Sequence, residues 1–281
     1  MYDQANELRQ LVSQRTLAPG RPPAGPKLLV VAGGKGGVGT TSVAIHLAVA
    51  LAQGGFHPVL VDADVDGGNT ALLCGIQERY TIADALAGRR TVQESLEMGP
   101  AGIRILAGAW ELAVLADGST SAQQRLIGQL QGLHHLTEAV VIDVGNSWSR
   151  WARRFWQAAD SVLLVTTPEL ASIMDAYASI KLLAAGEPGI PLELVVNRAA
   201  DAAAEEVATR LTRACQRFLG IRLGVAGYVP DDAQIMGGAS EHELMDNLVS
   251  ASPLTLQLRQ LAETLAQRIG LTAIRQLSAA S

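Results

Sequence analysis

The ten residues Gly33–Ser42 read GGKGGVGTTS, and their spacing suits the binding of a polyphosphate. Loops of the pattern G-x-x-x-x-G-K-S/T cradle phosphates with backbone amides, reach the β- and γ-phosphates with the lysine and hold Mg²⁺ with the hydroxyl. Gly34 and Gly39 have this spacing and Thr41 supplies the hydroxyl, but Thr40 stands where the lysine belongs. Lysine occurs only at positions 27, 35 and 181, so Lys35 inside the loop needs a reason of its own.

Two other segments bring carboxylates. VLVDADVDGGN ends a strand-like run with Asp62, Asp64 and Asp66, and AVVIDVGNS ends another with Asp143. Ligands of open α/β sheets bind beyond the carboxyl ends of the strands. Carboxylates there hold Mg²⁺ through water or orient an attacking water. A turn rich in Asp, Gly and Asn would look similar, but three suitable strand ends together favour a site.

These residues need a sheet to position them. From Lys27 onwards, apolar runs of strand length alternate with helical patterns, which predicts an α/β fold: a mainly parallel, twisted sheet flanked by helices. Strands are expected at 28–33, 58–63, 103–108, 139–144, 161–167, 192–197 and 223–229, with helices near 41–53, 121–131, 149–159, 169–184, 202–218 and 254–269. Residues 2–14 put Ala5, Leu8, Leu11 and Val12 on one helical stripe behind Asp3, a possible N-cap. TLAPGRPPAGP then blocks any regular element with its prolines. The expected organisation is an N-terminal helix (1–15), a linker (16–26), a nucleotide-binding domain (27–270) and a frayed tail (271–281).

KGGVGTTS resembles the deviant Walker A loop of the MinD/ParA group of P-loop ATPases, and VDADVDGGN and VVIDVGNS resemble that group's two switch regions. The likeness runs from Lys27 to about Ile269. Within the group, VTTPELASIMDAYASIKLL (165–183) and DQANELR are similar to the FlhG (YlxH) regulators of flagellar placement and number. The resemblance implies a MinD-like P-loop NTPase fold, ATP and Mg²⁺ as cofactors, and a homodimer formed on ATP.

It also implies roles for particular residues. Gly34, Lys35, Gly36, Gly37, Val38, Gly39, Thr40, Thr41 and Ser42 would surround the phosphates, with Asn197, Arg198, Pro230 and Asp231 around the base. Thr41, Asp62 and Asp143 would serve the metal. Lys35, reaching across the dimer, and Asp64, orienting the water, would be catalytic. Asp3, Gln4, Ala5, Leu8 and Arg9 match the D-Q-A-x-x-L-R helix that stimulates the partner GTPase FlhF, and flagellar components would be further partners.

Thr40 departs from the pattern. Losing one such charge contact costs roughly 3 to 4 kcal/mol in rate, so a weak ATPase is expected. Loop amides, the helix dipole, Thr41 and Lys35 would still hold phosphate. The same threonine resembles the loop of the pilus-localisation relatives TadZ and CpaE, which leaves a non-hydrolysing, nucleotide-bound polar scaffold as the alternative. In SWSRWARRFW, helical spacing groups Trp148, Trp151 and Phe155 and sets Arg150, Arg153 and Arg154 elsewhere. The aromatics are either core or part of an interface helix beside the dimer face.

Several classes are disfavoured. With 22 basic and 27 acidic residues, the net charge of −5 offers no overall positive field for a DNA partitioner. Cys74 and Cys215 lack C-x-x-C spacing and the bridging pattern of a nitrogenase-type iron protein, and both are expected to be buried small hydrophobes. The acidic start is unlike a secretory signal and no apolar stretch is of membrane length. A cytoplasmic protein is expected, with polar placement open and weak or no membrane contact through Leu271, Ile274 and Leu277.

Overall fold

The computed structural model describes residues 25–112, 114, 119–146, 149–186, 189–231 and 253–271. The expected N-terminal helix, nearly all of the linker, Trp148, Ile274 and Leu277 lie outside the described residues.

Eight strands form one sheet: β1 (Lys27–Gly33), β2 (Val59–Asp62), β3 (Glu97–Met98), β4 (Arg104–Leu106), β5 (Ala139–Asp143), β6 (Ser161–Thr166), β7 (Leu192–Asn197) and β8 (Leu223–Val229). Their order is β3-β4-β2-β5-β1-β6-β7-β8, and every neighbouring pair is parallel except β3 with β4. All residues of β2, β5, β6 and β7 are buried. Strands covered on both faces can be continuously apolar, and this explains runs such as AVVID and SVLLVT. The seven expected strands are present. The antiparallel edge β3 was not expected, because two residues carry no detectable periodicity.

The helices are α1 (Thr40–Gln53), α2 (Thr70–Leu73), α3 (Ile82–Ala87), α4 (Thr120–Gln131), α5 (Arg150–Ala158), α6 (Leu170–Gly186), α7 (Asp201–Ala214) and α8 (Pro253–Ile269). α1 is apolar on nearly every side because it lies between the sheet and α8, with Val43 to Leu51 buried. Each fully buried Leu or Ile there contributes about 1.5–3 kcal/mol. α3 to α7 cover the opposite face. Two short helices, α2 and α3, escape sequence periodicity; α3 is set by a capping box between Thr81 and Asp84. The helix expected at 202–218 ends as α-helix at Ala214 and continues as a π-turn, Cys215–Leu219, stopped by Gly220 at φ 67°.

The interface reading of the aromatics is corrected for Trp151 and Phe155. Both are buried with Trp156, the first two rings packed edge to face at 4.8 Å, because α5 lies flat on the sheet and turns these side chains inward. Arg150 and Arg153 are exposed. Cys74 and Cys215 are buried as expected. Among the described residues no helix is long and apolar enough to cross a membrane.

Candidate functional site

β1 stops at Gly33, whose amide donates to the Gly145 carbonyl at 2.8 Å, so the loops after β1 and β5 are joined where they leave the sheet. Gly37 (φ 81°) and Gly39 (φ 88°) adopt the left-handed backbone that glycine takes at no steric cost. Gly34 is required for another reason: a Cβ there would lie 2.6 Å from the Ala176 amide nitrogen of α6. The loop therefore packs directly on the backbone of α6 before turning into α1.

The first turn of α1 and the loop line a cavity of about 360 Å³ that also receives Asp64, Asn69 and Asn146. Unpaired amides at a helix start, with the positive end of its dipole, make such a cavity an anion site. Thr40 borders it but is only 7% exposed, and its hydroxyl lies 2.5 Å from where a Gly33 Cβ would stand. A side chain this short, turned towards β1, does not deliver the charge that a lysine would.

Lys35 is bound within its own chain. Its Nζ donates to Glu169 Oε2 at 2.9 Å, and this pairing holds the Glu169 carboxyl below its usual range. For Lys35 to reach across a dimer, it would first have to leave that exposed ion pair.

The carboxylates separate into different environments. Asp62 and Asp143 face each other in register on β2 and β5 and are wholly buried. Asp62 accepts from the amides of Thr70 (3.0 Å) and Asp64 (3.2 Å). It is wedged where a Cβ on Gly68 or Gly108 would strike it, and burial raises its pKa despite the two amides. Asp143 Oδ1 accepts from the Gly145 amide at 3.0 Å, whereas Oδ2 has no hydrogen-bond partner among the described residues. Burial first and the Asp62 charge second push Asp143 up to about 7, against hydrogen bonds from Thr41 and Gly145. Asp64 lies in the cavity wall, its carboxylate against Gly145, with burial raising its pKa.

Thr41, Asp64 and Asp143 thus converge below the loop, while Asp62 stands behind them. No three His, Cys, Asp or Glu side chains among the described residues form a metal cage. A cation here would depend on the Thr41 hydroxyl, the unpaired Asp143 oxygen and the phosphates themselves.

Asn197 and Arg198, at the end of β7, grip the loop. Asn197 Nδ2 donates to the Val38 carbonyl at 2.8 Å, and Arg198, at φ 54°, donates from Nη1 to the Gly37 carbonyl at 3.1 Å. Asn197 Oδ1 is buried and unpartnered among the described residues. Val229 pairs with Asn197, so Pro230 and Asp231 continue beside them at the end of β8.

Sequence reasoning missed Asn146 and Glu169, and the hydrogen bond that Trp151 makes. Asn146, its amide oriented to satisfy both neighbours, accepts from the Gly36 amide at 3.0 Å and donates to Asp66 at 3.3 Å. It ties both carboxylate segments to the loop. Glu169 restrains Lys35. Trp151 donates from Nε1 to the Ala63 carbonyl at 2.9 Å, fixing the backbone between Asp62 and Asp64. The adjacency of Asn146 to Asp143 in AVVIDVGNS was the one available signal. Trp151→Phe is expected to cost about 1–3 kcal/mol by leaving that carbonyl unpaired, read from urea unfolding. Unchanged stability would mean that water replaces the indole.

The comparisons agree with this geometry. The family described as the CobQ/CobB/MinD/ParA nucleotide binding domain matches residues 29–245. The antiactivator FleN of Pseudomonas aeruginosa is 30% identical over 238 residues, covering 84% of this chain and 85% of its own. The flagellum site-determining protein YlxH of Helicobacter pylori is 29% identical over 157 residues, covering 56% and 53%. Pyrococcus horikoshii MinD, solved with Mg-ADP, superposes with a TM-score of 0.68 at 23% identity, over 87% of this chain and 98% of that one. With a glycine loop, a Thr41–Asp143 pair and an eight-stranded sheet all in the matched region, the chain belongs to the MinD/ParA family of nucleotide-binding proteins.

Proposed function

We propose that this protein is a MinD-like switch that binds Mg²⁺-ATP, pairs with a second copy on ATP, and regulates flagellar number or placement in the cytoplasm. The observation that carries the nucleotide reading is the unpaired Asp143 oxygen beside Thr41, which lines the cavity together with the glycine loop. Mg²⁺ would neutralise phosphate charge at that point. The flagellar reading is supported by similarity to FleN and YlxH.

Adenine would be the base, its amino group donating to the buried Asn197 Oδ1, which is unpartnered among the described residues. Asp64 would orient the hydrolytic water. Asp62, which also accepts the Asp64 amide, would belong to the magnesium site with Thr41 and Asp143. DQANELR would stimulate an FlhF-like GTPase. Deletion of residues 1–15 should remove that stimulation in a GTPase assay while nucleotide binding persists, and full stimulation by the truncated chain would end the FlhF claim.

Thr40 favours a second reading, a TadZ/CpaE-type scaffold that keeps its ATP. Purified protein incubated with Mg²⁺ and labelled ATP, then separated and assayed for bound ATP and ADP, distinguishes the two. Slow conversion identifies a working switch, and intact ATP identifies the scaffold. If no nucleotide is bound, both fail.

A further inference from the structure

α6 carries an apolar stripe on its outer side that nothing in the described residues covers. Leu170 (68% exposed), Met174 (64%), the exposed Ala178 and Leu182 (46%) follow one another at intervals of four, while Ser172, Ala176, Ser179, Ile180 and Leu183 pack inward. A helix that is apolar on both sides has a second partner to find.

We infer that residues 2–14 of this chain dock on that stripe as a helix. These residues repeat the same chemistry, with Ala5, Leu8, Leu11 and Val12 spaced as i, i+3, i+6 and i+7, the anchor pattern of a helix laid along an apolar surface.

The chain's path allows it. Lys27 opens β1, where its amide donates to the Glu138 carbonyl and its Nζ to Asp160. This is the amino end of the parallel sheet. α6 runs from the carboxyl end of β6 back to the same end, leading into β7 at Leu192. A Cβ on Gly25 would meet the carbonyl of Gln131, the last residue of α4, so the chain enters on the side that α6 also covers. Residues 15–24, extended, reach about 33 Å. The 17 residues of α6 span about 25 Å and a 13-residue helix about 20 Å, so the tether brings the segment over the full stripe. Tethering also raises its effective concentration to about the millimolar range, which makes a small apolar contact sufficient and a second copy a weaker competitor.

Docking there is adjacent to the nucleotide loop. The stripe begins one residue after Glu169, which holds Lys35, and Gly34 rests on the backbone of Asp175 and Ala176. The segment is thereby held against the helix that contacts the phosphate loop, and a partner protein that binds Leu8 must first displace it from α6. The docking does not require the partner to be FlhF, and its test uses no partner.

In the full-length chain, Leu8→Cys is combined with Met174→Cys or with Leu72→Cys, an exposed position (78%) on α2, where Leu73 and Cys74 pack with α1 on the other face of the sheet, and treated with a short bis-maleimide. Cys74 and Cys215 are buried and remain as they are. An intrachain cross-link to position 174 but not to 72 is expected. Adding Leu182→Asp should slow that cross-link, and in the cysteine-unmodified chain speed tryptic cleavage after Arg9, each about tenfold. Equal cross-linking at both positions, cross-links only between chains, or no response to Leu182→Asp in either readout would overturn the docking.

Discussion

Thr40→Lys should raise the turnover of bound ATP by a few hundredfold. The position is the start of α1, its backbone already forms the cavity wall, and the loop around it keeps the glycine geometry of a working phosphate cradle. What is absent is a mobile positive charge on the transferred phosphoryl group. Contacts of that kind are worth about 2.7–4 kcal/mol in the transition state. Lys35 does not replace it in this arrangement, because Glu169 holds the ammonium. The measurement is a single-turnover assay with labelled ATP, with Thr40→Ala as a control that adds no charge and should not accelerate the reaction. A Thr40→Lys protein that binds ATP normally and hydrolyses it no faster would show that Asp64 cannot activate water, and the scaffold reading would replace the switch.

The second large effect concerns stability. Asp143 titrates near 7 in the folded protein against an ordinary 3.8, so the native state keeps a proton that the unfolded chain releases between about 4 and 7. A carboxyl whose folded value is raised is cost-free at low pH and costs stability as pH rises through that window. Without nucleotide, the protein should therefore lose up to about 4 kcal/mol between pH 4 and 8 from this group. The raised Asp62 adds in the same direction. Asp143→Asn removes the charge while keeping the shape. Its stability relative to the unaltered chain, measured by urea unfolding, should be similar at pH 4 and grow towards pH 8. Saturating Mg²⁺-ATP should offset the loss in the unaltered chain and have much less effect on the variant. A difference between the two proteins that does not vary with pH would mean that Asp143 is ionised throughout without penalty.

The same residue illustrates how far the sequence could be followed. Asp143 at the end of AVVID was recognisable because a continuous apolar run of strand length must be a strand covered on both faces, and its end must lie in the crevice. Gly34 to Thr41 were recognisable because glycines at that spacing between a strand and a helix have few other uses. α2 and β3 were not, since elements of two to four residues are held by their neighbours rather than by their own pattern. Trp151 and Phe155 remained ambiguous for a related reason: a helix pattern tells which residues share a face, not what that face meets.

The sequence by itself determined the alternation of strands and helices, the glycine loop and the strand-end carboxylates, because each depends on local periodicity or on a short motif. Tertiary structure alone decided the rest. The pairing of β1 with β5 put Gly33 against Gly145, the pairing of β2 with β5 buried Asp62 behind Asp143, and the packing of α6 on the loop brought Glu169 to Lys35 across 134 positions. These contacts join segments far apart in the chain, and their energies depend on burial and neighbouring charge, which no local pattern encodes.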